Sequence, residues 1–318
     1  MNSEKIQKRK IMLVGTGFVG MSFAYSLLSE KGIDELVLVD VNTDKAKGEQ
    51  MDLSDGLLYA NSKMKITAGS YADAADTNIV VLTAGAAQKP GQSRLELVKI
   101  NANITKGVCE ELKKNNFDGL LVVANNPVDI MTYVAWKTSG LPKNHVIGSG
   151  TVLDSARLRH ALSERLGFAS SNAYIMGEHG DSSFVPWIHT YIGTKHLLEY
   201  LDENNIELSE LQDIYISVRD KAYKIIELKK ATYYGIGLAL KRIVSAILNN
   251  EKAILPVSSY QNGEYGREGY FIGTPTVVGS NGIEQVISLP LNENDQQRFN
   301  HSFDTLKKTI DENLSDIL

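Results

Sequence analysis

A single cysteine, Cys109, stands in the 318 residues. One cysteine excludes an intrachain disulfide framework and a thiolate metal cluster, and it fits a reducing compartment such as the cytoplasm. There is no excess of positive charge: 33 Lys and Arg are set against 38 Asp and Glu, a formal net charge of −5. That gives no basis for expecting a nucleic-acid or anionic-membrane partner. No low-complexity tract, internal repeat or linker-like stretch interrupts the chain. His, Cys and Asp are nowhere clustered at metal-ligand spacing, so no metal is expected. A long apolar run is also missing. The nearest approach, residues 11–29 after "KRK", has the flanks of a signal peptide or a short membrane span, but three glycines break it. It reads as a buried strand followed by an amphipathic helix.

What is present is a chain with 43% hydrophobic residues, enough for one large domain or two lobes. "KIMLVGTGFVG" is an apolar strand running into Gly15, Gly17 and Gly20. In this spacing the first glycine permits a tight turn, the second admits a pyrophosphate close to the backbone, and the third lets the helix pack on the strand. The helix start, with Phe18 and Val19 between the glycines, offers free N–H groups and the positive end of a dipole. A second strand, "ELVLVD", ends at Asp40, whose carboxylate suits a ribose 2′-hydroxyl and repels a 2′-phosphate. NAD is therefore the expected cofactor. The bland alternative is glycine-rich packing and a solvated acid at a strand end.

Helices, read at "TDKAKGEQMDLSDGLL", "RLELVKINANITKGVCEELKKN" and "IMTYVAWKTS", then alternate with strands, read at "MKITAG", "NIVVLTAG", "GLLVVANNPVD" and "HVIGSG". This rhythm implies an α/β fold with a doubly wound, mostly parallel sheet. Ligands in such sheets lie beyond the carboxyl ends of the strands, which draws attention to Gly85, Asn126 and Ser149. Between strand and helix, "AAQKPGQS" reads either as a lid over a ligand or as a solvated surface loop.

The rhythm stops near Gly148. We place the boundary there, with residues 1–148 forming a dinucleotide-binding domain and 149–318 a mixed α/β substrate domain. "GTVLDSARLRHALSERLG" reads as a helix with Thr151 as N-cap. Asp154 and Arg157, three apart, share one face, while Arg159 points elsewhere. On local grounds that pair is a surface ion pair. "IMGEHGD" places His179 among acids and glycines, as either a proton donor or a polar turn residue. Further on, a long helical stretch breaks near "KKATYYG". "AILPVSSY" and "GYFIGTPTVVG" read as antiparallel strands, and the chain ends in an amphipathic helix.

"GTGFVG", "AQKPGQSRLELV", "NNPVDI", "GSGTVLDSARLR", "GEHGD", "ATYYGIG" and "NGIEQV" occur in this order from about Arg9 to the last helix. Together they resemble the lactate/malate dehydrogenase family, and its L-lactate dehydrogenases in particular. The resemblance implies a Rossmann domain followed by an α/β substrate domain, assembled as a homotetramer. The implied reaction is reversible hydride transfer between NADH and pyruvate, in fermentative regeneration of NAD. His179 would act as proton donor and acceptor, and Asp154 would orient it. Arg157 would clamp the substrate carboxylate and Arg94 would polarise its carbonyl. Asn126 would bond near the reacting centre, Ser149 would help seat the nicotinamide, and Thr232 would wall the pocket. The family's malate enzymes carry an arginine where this chain has Gln88, so a neutral residue there favours pyruvate over a dianion. Bulkier 2-oxo acids, as used by hydroxyisocaproate-type enzymes, are the alternative, because "SSFVPWIH" departs from the usual order. Lys230 stands where many bacterial relatives have glycine and is expected to alter the pocket backbone. Arg159 matches an effector arginine, but Asn172 replaces its histidine partner. Fructose 1,6-bisphosphate is accordingly expected to activate weakly or not at all.

Overall fold

A computed structural model describes residues 8–86, 94–167 and 171–318, with the side chains of Arg94 and Ser171 outside the description. Chain order runs β1 (Lys10–Val14), α1 (Phe18–Leu27), β2 (Glu35–Val39), α2 (Thr43–Gly56), β3 (Lys65–Ala68) and β4 (Ile79–Leu82). Then come α3 (Arg94–Lys114), β5 (Leu120–Val123), α4 (Val128–Ser139) and β6 (Val146–Gly148). These six strands pair in parallel in the order β3-β2-β1-β4-β5-β6. The order reverses at β1 and β4, which opens a crevice above their carboxyl ends.

The strands are apolar throughout because both faces of the sheet are covered. Successive residues point to opposite sides. Met12, Val14, Val80 and Leu82 enter a core shared with α3, α4 and the C-terminal helix. Ile11, Leu13, Ile79 and Val81 enter the other, shared with α1 and a helix of the second half.

That second half comprises α5 (Val152–Leu166), β7 (Ser171–Asn172), β8 (Tyr191–Ile192), β9 (Lys195–His196), α6 (Leu197–Glu203) and α7 (Leu208–Lys229). It continues with α8 (Tyr234–Leu248), β10 (Ala253–Asn262), β11 (Glu268–Gly279), β12 (Gly282–Val286) and α9 (Glu293–Asn313). The parallel rhythm ends after β6. β10 joins β6 antiparallel at Ser258 and Gly148, and β11 and β12 extend the sheet to nine strands. A separate core joins α5, α6 and α7 through Leu158, Leu162, Leu201, Leu211 and Val218.

α8 returns to the first half and packs on α1. A Cβ on Gly237 would stand 2.8 Å from the backbone carbon of Ser22, so glycine sets how closely the two helices approach.

Several expectations need adjustment. "PVD" is not strand: α4 starts at Val128, so Asp129 sits in its first turn. Thr151 occupies the N-cap of α5 but does not cap it. Its hydroxyl donates instead to the carbonyl of Ile175 at 2.6 Å, which ties α5 to the segment leading into the histidine loop. β7–β9, α6 and β12 have no counterpart in the sequence reading. They are short, or polar like "GIEQV", and lack the apolar periodicity that announces an element. No helix among the described residues is long and apolar enough to cross a membrane.

Candidate active site

The glycine turn is held by contact at two of its three glycines. Gly15 has φ +102, a region that favours glycine, and a Cβ there would lie 2.6 Å from the Ala84 nitrogen. A Cβ on Gly20 would lie 2.0 Å from the Gly15 carbonyl oxygen, so the helix can meet the turn only without a side chain. Gly17 is exposed, with open space where its Cβ would be. It precedes α1 without a capping side chain, and the first turn carries no acid. The first N–H groups and the dipole therefore face that space free of competition. This is the cradle a dinucleotide pyrophosphate requires.

Asp40 directly follows β2, beside the turn. Its Oδ2 accepts from the Thr16 N–H at 2.7 Å and the Thr16 hydroxyl at 2.8 Å, and its Oδ1 accepts from the Asn42 N–H at 2.9 Å. Burial pushes its pKa up, but these donors outweigh it and hold the carboxyl below its ordinary value. A fixed, half-buried anion thus stands where a ribose would lie. Phe18 is exposed and stacks on Tyr233 at 5.1 Å, while Val19 is half-buried against the core.

Gly85, Asn126 and Ser149 follow β4, β5 and β6, as strand-end residues should. Asn126 is exposed and joined to Pro127 by a cis peptide bond; Ser149 is buried. Asn101, from the inner face of α3, joins this rim. Its Oδ1 accepts from the Ala86 N–H and its Nδ2 donates to the Asn126 carbonyl, both at 2.8 Å. The sequence reading missed Asn101. The available signal was Asn101 and Thr105, two polar residues four apart on the buried side of an amphipathic helix.

His179 lies in a loop whose neck is closed by mutual backbone bonds between Met176 and Phe184. The loop is anchored to β11 by paired bonds between Gly177 and Gly273 at 2.9 and 3.1 Å. Gly177 meets a backbone demand, φ +97, and its absent Cβ lets Ser302 approach from α9.

The imidazole Nδ1 is 2.5 Å from Asp154 Oδ2. The other oxygen of Asp154 accepts from Arg157 Nη1 at 3.1 Å. Arg157 Nη2 reaches toward Thr232 Oγ1 at 3.5 Å. The Asp154–Arg157 pair is therefore not a surface ion pair: both side chains are largely buried, and the carboxylate links the arginine to the histidine. The charge of Asp154 raises the pKa of His179 to about 9, against the opposing effect of burial. Burial pushes Asp154 up in turn, but His179 and Arg157 prevail and hold it low. The imidazole is charged at neutral pH and remains 29% exposed; its Nε2 makes no hydrogen bond among the described residues. A charged donor, a fixed orienter and an arginine fork are thus assembled to protonate and hold an anionic carbonyl compound.

The comparisons with known proteins agree with this construction. Residues 9–148 match the family model described as lactate/malate dehydrogenase, NAD binding domain, and residues 151–317 match its alpha/beta C-terminal domain. The chain belongs to the lactate/malate dehydrogenase family. It is 49% identical over 310 residues to an L-lactate dehydrogenase of Lactococcus lactis subsp. cremoris, covering 96% of this chain and 99% of that protein. L-lactate dehydrogenase 2 of Enterococcus faecalis is also 49% identical, over 309 residues, 96% of this chain and 98% of its own length. Among solved structures, the ligand-bound minor L-lactate dehydrogenase of Enterococcus mundtii matches with TM-score 0.94 and 47% identity. That match covers 96% of this chain and 98% of the other. The family's dinucleotide fold is what the glycine turn and Asp40 fit, and NAD is its cofactor.

Gln88 lies outside the described residues, and of Arg94 only its place at the start of α3 is described. Lys230 does not alter the backbone a glycine would take. It ends α7 in the left-handed conformation, φ +72, that glycine C-caps adopt. Arg159, as expected, faces away from Asp154. Its Nε donates to the Ala173 carbonyl at 2.9 Å and its guanidinium lies 4.9 Å from the Tyr174 ring centre. Asn172 lies in β7 beside it.

Proposed function

We propose that this chain is an NAD-dependent L-lactate dehydrogenase that interconverts pyruvate and L-lactate. The observation that carries the reading is the single carboxylate of Asp154 binding both His179 and Arg157. It ties a proton donor and an anion clamp to one fixed point. The names of the relatives support lactate as the alcohol and the L hand.

Arg157 holds the substrate carboxylate in its planar fork, beside Thr232. NADH, when bound, supplies the hydride to the carbonyl carbon. His179, held through Nδ1, gives the proton on Nε2 to the carbonyl oxygen. In reverse, the neutral ring takes the proton from the hydroxyl. Arg94 stabilises the negative charge that develops on that oxygen, and Asn126 hydrogen-bonds near the same centre. Ser149 would help seat the nicotinamide, and Gly85 would line the dinucleotide site. Gly15, Gly17, Phe18, Val19, Gly20 and Asp40 hold the remainder of the dinucleotide. Gln88, uncharged, offers no partner to a second carboxylate and so selects against oxaloacetate. On this division residues 1–148 form the cofactor-binding domain and 149–318 the substrate domain, with Gln88, Arg94 and Asn126 of the first serving the substrate and Ser149 of the second serving the cofactor.

The enzyme works as a homotetramer in the cytoplasm. Tyr25, Leu58, Tyr59, Tyr234 and Leu238 are exposed on or next to α1, α2 and α8, which supports burial against other copies. Cys109 is buried and its thiol is pushed up to about 12, which suits a reducing compartment where no disulfide is needed.

The test is NADH oxidation with pyruvate, oxaloacetate and 2-oxoisocaproate in parallel, with the product resolved by hand. A clear preference for pyruvate giving L-lactate is expected. Preference for oxaloacetate or the branched acid would overturn the substrate assignment, and a D product would overturn the stereochemistry.

A further inference from the structure

A second buried carboxylate grips the histidine loop from the opposite half of the molecule. Asp129 is 1% exposed in the first turn of α4, and its Oδ2 accepts the backbone N–H of His179 at 2.7 Å. His179 is thus held twice: by its ring from α5 through Asp154, and by its main chain from α4 through Asp129.

The surroundings show a built position. Gly148, at the end of β6, lets α4 and β10 converge: a Cβ there would lie 2.3 Å from Thr132 Oγ1 and 2.6 Å from Ser258 Cβ. Asp129 Oδ1 and Ser258 Oγ are both buried and meet no donor or acceptor in good hydrogen-bond geometry among the described residues, although the hydroxyl lies near enough to favour the carboxylate. A carboxylate buried in such a place is costly to the fold. A neutral side chain could accept one N–H bond at less cost, so the charge calls for a role of its own.

We propose that Asp129 is a positioning residue for the proton donor, fixing the His179 main chain and adding a second negative charge that favours the imidazolium. The inference rests on the reading of His179 as that donor.

Among the described residues, the charged and titratable groups around the pair are few. Asp154 and Arg157 of α5 face the His179 ring, and Asp129 faces it from α4. Asp129 is itself faced by Glu178 and His179 of the loop and by the Ser258 hydroxyl of β10. Burial pushes the Asp129 carboxyl up to about 6, with Ser258 and the His179 N–H pulling it back and Glu178 pushing it further up. Between about 6 and about 9 both groups are therefore charged, and below that window Asp129 takes a proton while His179 keeps its own.

Two variants of the intact enzyme separate its two actions. D129N keeps an oxygen for the His179 N–H but removes the charge; D129A removes both. In pyruvate reduction followed against pH, the alkaline limb should move down by about one unit in both variants. At neutral pH kcat should fall about tenfold in D129N and about a hundredfold in D129A. KM for pyruvate should hold, because Arg157 is untouched. An alkaline limb that stays at the wild-type position in both variants would overturn the proposal, as would equal kcat in D129N and D129A. Nitrogen NMR of labelled histidine adds a readout independent of turnover. In D129N the His179 ring should titrate lower, and in wild type its amide signal should show a further inflection near 6. Absence of both would also overturn the proposal, even if the variants fold poorly. A wild-type enzyme inert toward pyruvate would instead defeat the proposed function, and the NMR titration would still judge Asp129.

Discussion

The cofactor turn and the histidine loop solve opposite problems. At the turn the working surface is backbone, and its specification is the absence of side chains at Gly15, Gly17 and Gly20. At the loop the working surface is charged side chains, and its specification is the burial of Asp154, Asp129 and Arg157 around one ring. The first site is damaged by adding an atom, the second by deleting one. The turn consequently tolerates little change in shape, while the loop tolerates little change in charge.

The contrast can be broken most severely at His179. H179N leaves a polar side chain but no transferable proton, so turnover should fall at least about a thousandfold while NADH binding by fluorescence stays near wild type. Surviving turnover would show that the proton comes from elsewhere. At the turn, adding one methyl group should act in two distinct ways. G20A forces a Cβ to within 2.0 Å of the Gly15 oxygen, and should lower stability by about 2 kcal/mol or more in a melting experiment. G17A meets open space, so its melting temperature should hold while NADH affinity falls about tenfold. If both variants melted alike and bound alike, the division between packing and ligand glycines would be wrong.

A finer test is pH. His179 has its pKa raised to about 9, so the imidazolium persists through neutrality. Pyruvate reduction should be level there and decline as pH rises through about 9, whereas lactate oxidation, which needs the neutral ring, should climb over the same range. The stabilisation that this raised pKa gives the fold is complete below the ordinary histidine value and is lost across the same window. The smallest effect is expected from fructose 1,6-bisphosphate. Arg159 is engaged with Ala173 and Tyr174, and Asn172 brings no charge, so pyruvate KM should stay essentially unmoved when the sugar phosphate is added. A large fall in KM would refute that.

The parallel half was legible because its signals are local. Apolar runs, glycine spacing and an acid at a strand end lie within a few residues of what they specify. The Asp154–Arg157 face was legible for the same reason, being three residues apart on one helix. The two grips on His179 span 25 and 50 residues of sequence, and no periodicity reports them. Residue types and the family resemblance brought Asp154 to notice. Asp129 had no such advocate and was read as the tail of a strand. Lys230 misled for a different reason: lysine at a left-handed helix end is uncommon, yet the backbone there is the one glycine would take.

For anyone assembling chimaeras from related enzymes, the junction at Gly148 is less convenient than a boundary between domains suggests. β10 zips onto β6, and Gly237 seats α8 against Ser22 of the dinucleotide helix, so a graft of the first half alone would carry a bare strand edge and an uncovered apolar helix. Parts are better exchanged with α8 and β10 travelling alongside the nucleotide fold, although they are encoded far downstream, between Tyr234 and Asn262.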